Sequence, residues 1–190
     1  MEIISINKSK LRKELLNLYF TNPDRKYYLR ELERILGFSV GNIRKELINL
    51  RRSGLFLVEH RGNLTYYCLN KSYPLFTELK GIISKTIGVP TALKESLKKI
   101  KGLEYAFIYG SFAKGEESEI SDIDLFVLGK IEENELINEI KNVEKKLQRE
   151  INFTLYEKSD FRQKKNEGNP FILEILKEKK IFLIGEEDGL

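Results

Sequence analysis

Residues 109–128 read YGSFAKGEESEISDIDLFVL. The stretch leaves one apolar segment, LEYAFIY, passes through a Gly-Ser pair, and enters a second apolar segment that opens with two aspartates, Asp122 and Asp124, one residue apart. Side chains alternate between the two faces of a strand. Ile123, Leu125 and Val127 therefore share one face, and Asp122, Asp124 and Phe126 share the other. Two neighbouring ionised carboxylates repel and are costly to bury, so the pattern calls for a compensating charge, which a divalent cation with oxygen ligands supplies.

Ten residues, Phe112 to Ser121, separate Ser111 from Asp122. Gly110 and Ser111 present unhindered backbone amides and a hydroxyl ahead of a short helix from Phe112 to Lys114, a setting that receives phosphate oxygens. Lys114 adds a point charge. The residues point to a nucleoside triphosphate, ATP being the first candidate, held on Mg²⁺ or Mn²⁺ by Asp122 and Asp124. An acceptor would attack the α-phosphate in line as pyrophosphate leaves. The plainer alternative is a surface turn followed by an edge strand with incidental acids.

The remaining composition narrows the field. One cysteine, Cys68, and one histidine, His60, leave no intramolecular disulfide, no cysteine-rich zinc site and no histidine metal cluster. Cys68, in the alternating run LTYYCLN, reads as a small buried hydrophobe, and His60 as a turn residue. No apolar run approaches the roughly 20 residues that span a bilayer, and the N-terminal stretch lacks a secretory pattern, so a cytoplasmic protein without membrane contact is expected.

Charge divides unevenly along the chain. Through Ser72 there are 14 Lys/Arg against 7 Asp/Glu, or +7, and the remainder holds 19 against 22, or −3. A basic first half suits nucleic acid, and an acidic second half suits a metal.

In the first half, Ser9 to Tyr19 has leucines at helical spacing and ends at the polar break TNPDRK. A second helix begins near Tyr28, with Leu29, Leu32, Ile35 and Leu36 on one face, and stops at Gly37. Ser39 occupies the next N-cap, and Val40, Ile43, Leu47 and Leu50 form the buried stripe of a third helix. Asn42, Arg44, Lys45, Asn49 and Arg52 stay outside. LFLVEH and LTYYCLN then read as a hairpin whose tip, Arg61 to Asn63, carries a cation. Three helices and a hairpin make the order of a winged helix-turn-helix, with Ser39, Asn42, Arg44, Lys45, Asn49, Arg52, Arg61 and Asn63 as candidate contacts to double-stranded DNA. A solvated charged helix face is the alternative. Pro74 is placed to start a connector helix bearing Leu75, Phe76, Leu79, Ile82, Ile83 and Ile87, which packs on its own domain or pairs two copies in a homodimer.

The fold expected is therefore α+β: a winged helix-turn-helix over 1–72, a connector helix over 73–89, and a small α/β domain with a mixed sheet over 90–190. The motif YGSFAKGEESEISDIDLFVL resembles the nucleotidyltransferases related to DNA polymerase β, in particular their minimal members, whose signature joins an apolar strand, Gly-Ser, a spacer and Asp-apolar-Asp-apolar. The whole chain is similar to a subgroup with a winged helix ahead of this domain, through NKSYPLFTELK, REINFTLY and KIFLIG. That resemblance implies a DNA-binding transcriptional regulator with a nucleotide-binding domain.

One position departs from the family pattern. The resemblance implies a third carboxylate on the strand after the next helix, where REINFTLY places Asn152, a neutral group that neither acts as base nor adds charge. The candidate substitute is Glu150, two residues earlier on the same face; a salt bridge at the strand's start is the alternative role. Besides the regulator, two readings follow: a working transferase modifying a protein or nucleic-acid acceptor, and a degenerate protein-interaction module.

Overall fold

The computed structural model describes residues 9–116 and 121–189. The loop expected before Asp122 thus falls partly outside the described residues. The chain divides into two compact units, one holding the chain up to Val89 with Lys145–Gln148, the other Pro90–Glu144 and the chain from Arg149 onward. No helix among the described residues is long and apolar enough to cross a membrane.

The first unit opens with α1 (Lys10–Thr21), whose N-cap Ser9 accepts from the Arg12 N–H at 3.1 Å. A two-residue strand β1 (Tyr27–Tyr28) leads into α2 (Leu29–Leu36), which ends at Gly37 in the left-handed conformation, φ 71°. Helix α3 (Val40–Arg52) buries Ile43, Leu47 and Leu50 of the expected stripe, while Val40, at its first turn, is only half-buried. Strands β2 (Phe56–Arg61) and β3 (Leu64–Leu69) pair antiparallel, and β1 adds to β3's other edge, giving the order β1-β3-β2. Tyr19 sits at the centre of this core. Its ring meets Tyr27 and Phe56 edge-on at 5.2 and 4.7 Å, and its hydroxyl donates to the Tyr67 carbonyl at 3.1 Å.

Three details differ from the sequence reading. His60 lies on β2, beside Thr65, rather than in a turn, because the hairpin tip is shorter than the polar run around it. Cys68 is half-buried. Pro74 precedes helix α4 (Phe76–Thr86) by two residues, within a turn in which the Phe76 N–H reaches the Tyr73 carbonyl at 2.9 Å. Helix α4 packs on its own unit: Leu79 and Ile83 join the core, and Phe76 stacks on Phe20 at 5.4 Å.

The second unit is a four-stranded mixed sheet. Helix α5 (Val89–Leu97) precedes β4 (Leu103–Tyr109), α6 (Gly110–Lys114) and β5 (Ile123–Gly129). Helix α7 (Glu133–Leu147) crosses over to β6 (Ile151–Tyr156), and α8 (Lys158–Asn166) and α9 (Pro170–Lys177) lead to β7 (Ile181–Ile184). The strand order is β6-β5-β4-β7, with β5 and β6 parallel and the other pairs antiparallel. The parallel pair requires the crossover that α7 supplies.

Both faces of β5 are buried, as its near-continuous apolar run demands. On the carboxylate face, Phe126 and Leu128 join Phe107, and Phe161, Ile172 and Ile175 from α8 and α9 cover them. Phe107 stacks on Phe126 with centroids 4.8 Å apart. Truncating such a fully buried ring costs about 3–5 kcal/mol. Phe126→Ala is expected to lower unfolding free energy by that amount in denaturant titration, whereas Leu57→Ala, on a side chain 49% exposed, should stay within about 0.5 kcal/mol.

Candidate functional site

The site forms where β4 ends. Antiparallel register sets Tyr109 opposite Asp124, and parallel register sets Asn152 beside Asp124 on the other flank. Gly110 follows at φ +69°, and a Cβ built on it would lie 2.5 Å from Asp124 Oδ2. Only glycine both adopts that backbone and leaves the carboxylate its space. Asp122 lies one residue ahead of β5, and Asn152 Nδ2 donates to its Oδ2 at 3.0 Å. The approach to the strand is pinned from the two residues just ahead of β6: Arg149 Nη2 donates to the Ser121 carbonyl at 2.6 Å, and the Ile123 N–H to the Glu150 carbonyl at 2.9 Å.

The electrostatics are those of crowded negative charge. Burial pushes the Asp124 carboxyl above the ordinary range, and Asp122 and then Glu178 push it further. Burial also raises the Tyr109 hydroxyl; a hydrogen bond with Thr154 opposes this, and Asp124, Glu178 and Tyr156 reinforce it.

Among the described residues no three His, Cys, Asp or Glu side chains gather to hold a metal. Two carboxylates facing one place fit Mg²⁺ or Mn²⁺ shared with phosphate oxygens and water, the usual mode for Mg²⁺. Bound there, the ion would screen the carboxylates and neutralise phosphate charge.

Glu150 and Lys114 take the following places. Glu150 is exposed and does not complete a carboxylate trio, because β6 begins only after it and its backbone, not its side chain, engages β5. Lys114 is ion-paired: Nζ lies 2.6 Å from Glu178 Oε1. The C-terminal segment, read from sequence as structural, thus brings Glu178 to the site, and α9 sets Phe171 edge-on to Tyr109 at 6.2 Å. No motif marked Glu178, which is one acid in the charged run KEKK.

In the first unit, Gly41, Arg44, Lys45, Ile48, Asn49 and Arg52 line a shallow open groove on α3. Asn42, Arg44, Lys45 and Arg52 are exposed and Asn49 is half-buried. Ser39 holds the N-cap position without a side-chain cap bond; Glu33 of α2 instead accepts from the Val40 N–H at 3.4 Å. Arg61 Nε donates to Glu59 at 2.7 Å and its guanidinium lies 5.7 Å from the Tyr66 ring centre. Lys26 and Arg61 together hold the Glu59 carboxyl below its usual range. The hairpin tip, where Asn63 is exposed, is therefore less basic than its sequence.

Residues 91–188 match the family described as Polymerase beta, Nucleotidyltransferase. The match spans more than half of the chain, which belongs to that family. Among solved structures, a toxin-antitoxin with AMP-PNP is similar with a TM-score of 0.38 and 15% identity, over 53% of this chain and 77% of that one. A protein from Sulfolobus solfataricus assigned as a nucleotidyltransferase gives a TM-score of 0.28 and 15% identity, over 49% and 73%. No curated protein matches.

A raised carboxyl pKa has a defined sign in stability. The folded state holds the Asp124 proton more tightly than the unfolded chain, so ionisation costs stability as pH rises through the ordinary aspartate range, and the full cost stands above the folded pKa. Asp124→Asn is expected to be more stable than wild type at neutral pH in denaturant titrations, with the advantage vanishing on acidification below the ordinary aspartate value. Added Mg²⁺ should narrow the neutral-pH gap by stabilising wild type alone.

Proposed function

We propose that this protein is a DNA-binding regulator whose nucleotidyltransferase domain binds a nucleoside triphosphate together with Mg²⁺. The observation that carries the nucleotide half is the apposition of Asp124, Asp122 and the bare backbone of Gly110 at one strand end. Asp122 and Asp124 hold the ion, and the missing side chain at Gly110 leaves the Asp124 carboxylate the space to do so. Asn152 favours binding over transfer: its amide is hydrogen-bonded to Asp122, and it can neither take a proton from an acceptor nor bind a second cation through charge. ATP is the first nucleotide to try.

For the first unit, the order of three helices and a hairpin, with a row of cations along α3, supports a winged helix that lays α3 in the major groove of double-stranded DNA. Among the described residues Arg44, Lys45 and Arg52 form no ion pair, in contrast to Arg61, so their charge is available to phosphates. Family membership also favours a second reading, a working transferase acting on a protein or nucleic-acid acceptor.

Calorimetric titration of Mg-ATP and Mg-GTP tests the nucleotide half, since it needs no acceptor. Metal-dependent heat in wild type, abolished by Asp122→Asn with Asp124→Asn, is the expected result; silence in wild type would refute it. Transfer of label from α-labelled triphosphate, lost in Asp124→Asn, would move the conclusion to the second reading. For the DNA half, Arg44→Ala and Arg52→Ala should each weaken duplex binding and reduce the salt slope by about 1. Unchanged binding would remove α3 from the interface.

A further inference from the structure

Lys114 leaves the end of α6, four residues after Gly110, and meets Glu178 with N–O separation 2.6 Å. The two side chains are 37% and 21% exposed, so water, and therefore a dissolved anion, reaches the pair. Glu178 is held firmly. Its N–H closes α9 on the Glu174 carbonyl at 3.1 Å, and its own carbonyl accepts at 3.0 Å from Lys180, a side chain only 3% exposed. Its carboxylate also acts on Asp124 and Tyr109, which places it in the charge field of the sheet end.

An ammonium has three donors, but a carboxylate and a phosphate oxygen on the same ammonium repel each other. We infer that Glu178 is an internal competitor for Lys114, so that a nucleotide's phosphate chain must take Lys114 from Glu178 in order to use it. The inference rests on the nucleotide reading above. It assigns Glu178 a specificity role: a ligand with a phosphate chain engages the pair, and a nucleoside without one leaves it closed. It also ties occupancy of the site to the release of one carboxylate at the C-terminal end of α9.

The test is a double-mutant cycle on Mg-ATP affinity with Glu178→Gln, Lys114→Gln and the pair, each first shown by thermal unfolding to be folded. Partly exposed ion pairs are weak, so Glu178→Gln is expected to tighten Mg-ATP binding roughly two- to fivefold. Lys114→Gln should weaken binding, and in its background the Glu178→Gln gain should fall below half. Magnesium tripolyphosphate should follow ATP, and adenosine should not respond to Glu178→Gln. Equal or weaker Mg-ATP binding by Glu178→Gln, or an undiminished gain without Lys114, overturns the competitor role while leaving the nucleotide reading intact. Failure of both wild type and Glu178→Gln to bind Mg-ATP overturns both.

Discussion

The candidate site depends on one pairing, the antiparallel register that sets Tyr109 of β4 against Asp124 of β5. From it follow the nearness of Gly110 to the Asp124 carboxylate and the position of α6 beyond the strand end. A slip of one residue would turn every side chain of β5 to the opposite face and carry Asp124 away from Gly110. The register is locked by apolar contact: Phe107 and Phe126 are opposed and stacked, and α8 and α9 close over them. The same core that stabilises the unit therefore orients the carboxylates, and chemistry and packing share one strand.

The first unit handles charge differently. Arg12 is buried and bonded to Glu46 of α3, which fixes the inner side of that helix, while Glu33 of α2 meets its first N–H. The acids of this unit are used largely to anchor structure, as Glu46, Glu33 and Glu59 illustrate. What remains on the outer side of α3 is a row of cations, and this is why the DNA reading rests on α3 more than on the hairpin.

Much of this was readable in the sequence because the signals were periodic. The alternation in SDIDLFVL placed β5 and turned Asp124 to its face, and the three-four spacing with Gly37 and Ser39 placed α2 and α3 within a residue or two. Signals that depend on distant partners were not readable. The strand β1 is two residues long and exists because β3 offers an edge. Glu178 follows α9 and meets Lys114 across 64 positions, and Arg61 loses its apparent freedom to a neighbour on its own strand. Helix α8 is a mostly polar segment with Phe161 as its one buried residue, too weak a pattern to distinguish from a loop. The departure at Asn152 was readable; its bond to Asp122 was not.

The order of strands carries a consequence for biosynthesis. Strand β7 follows β4, β5 and β6 in the chain yet occupies the edge beside β4. While a ribosome is still extending the segment, β4, β5 and β6 emerge with the backbone N–H and C=O groups on one edge of β4 unpaired, a template for joining another nascent chain. Ile181 to Ile184 close that edge only after β4, β5 and β6 have been made. A stall or a premature stop ahead of them would leave a sheet able to form but exposed to aggregation, so these few residues act as the seal on a structure otherwise already assembled.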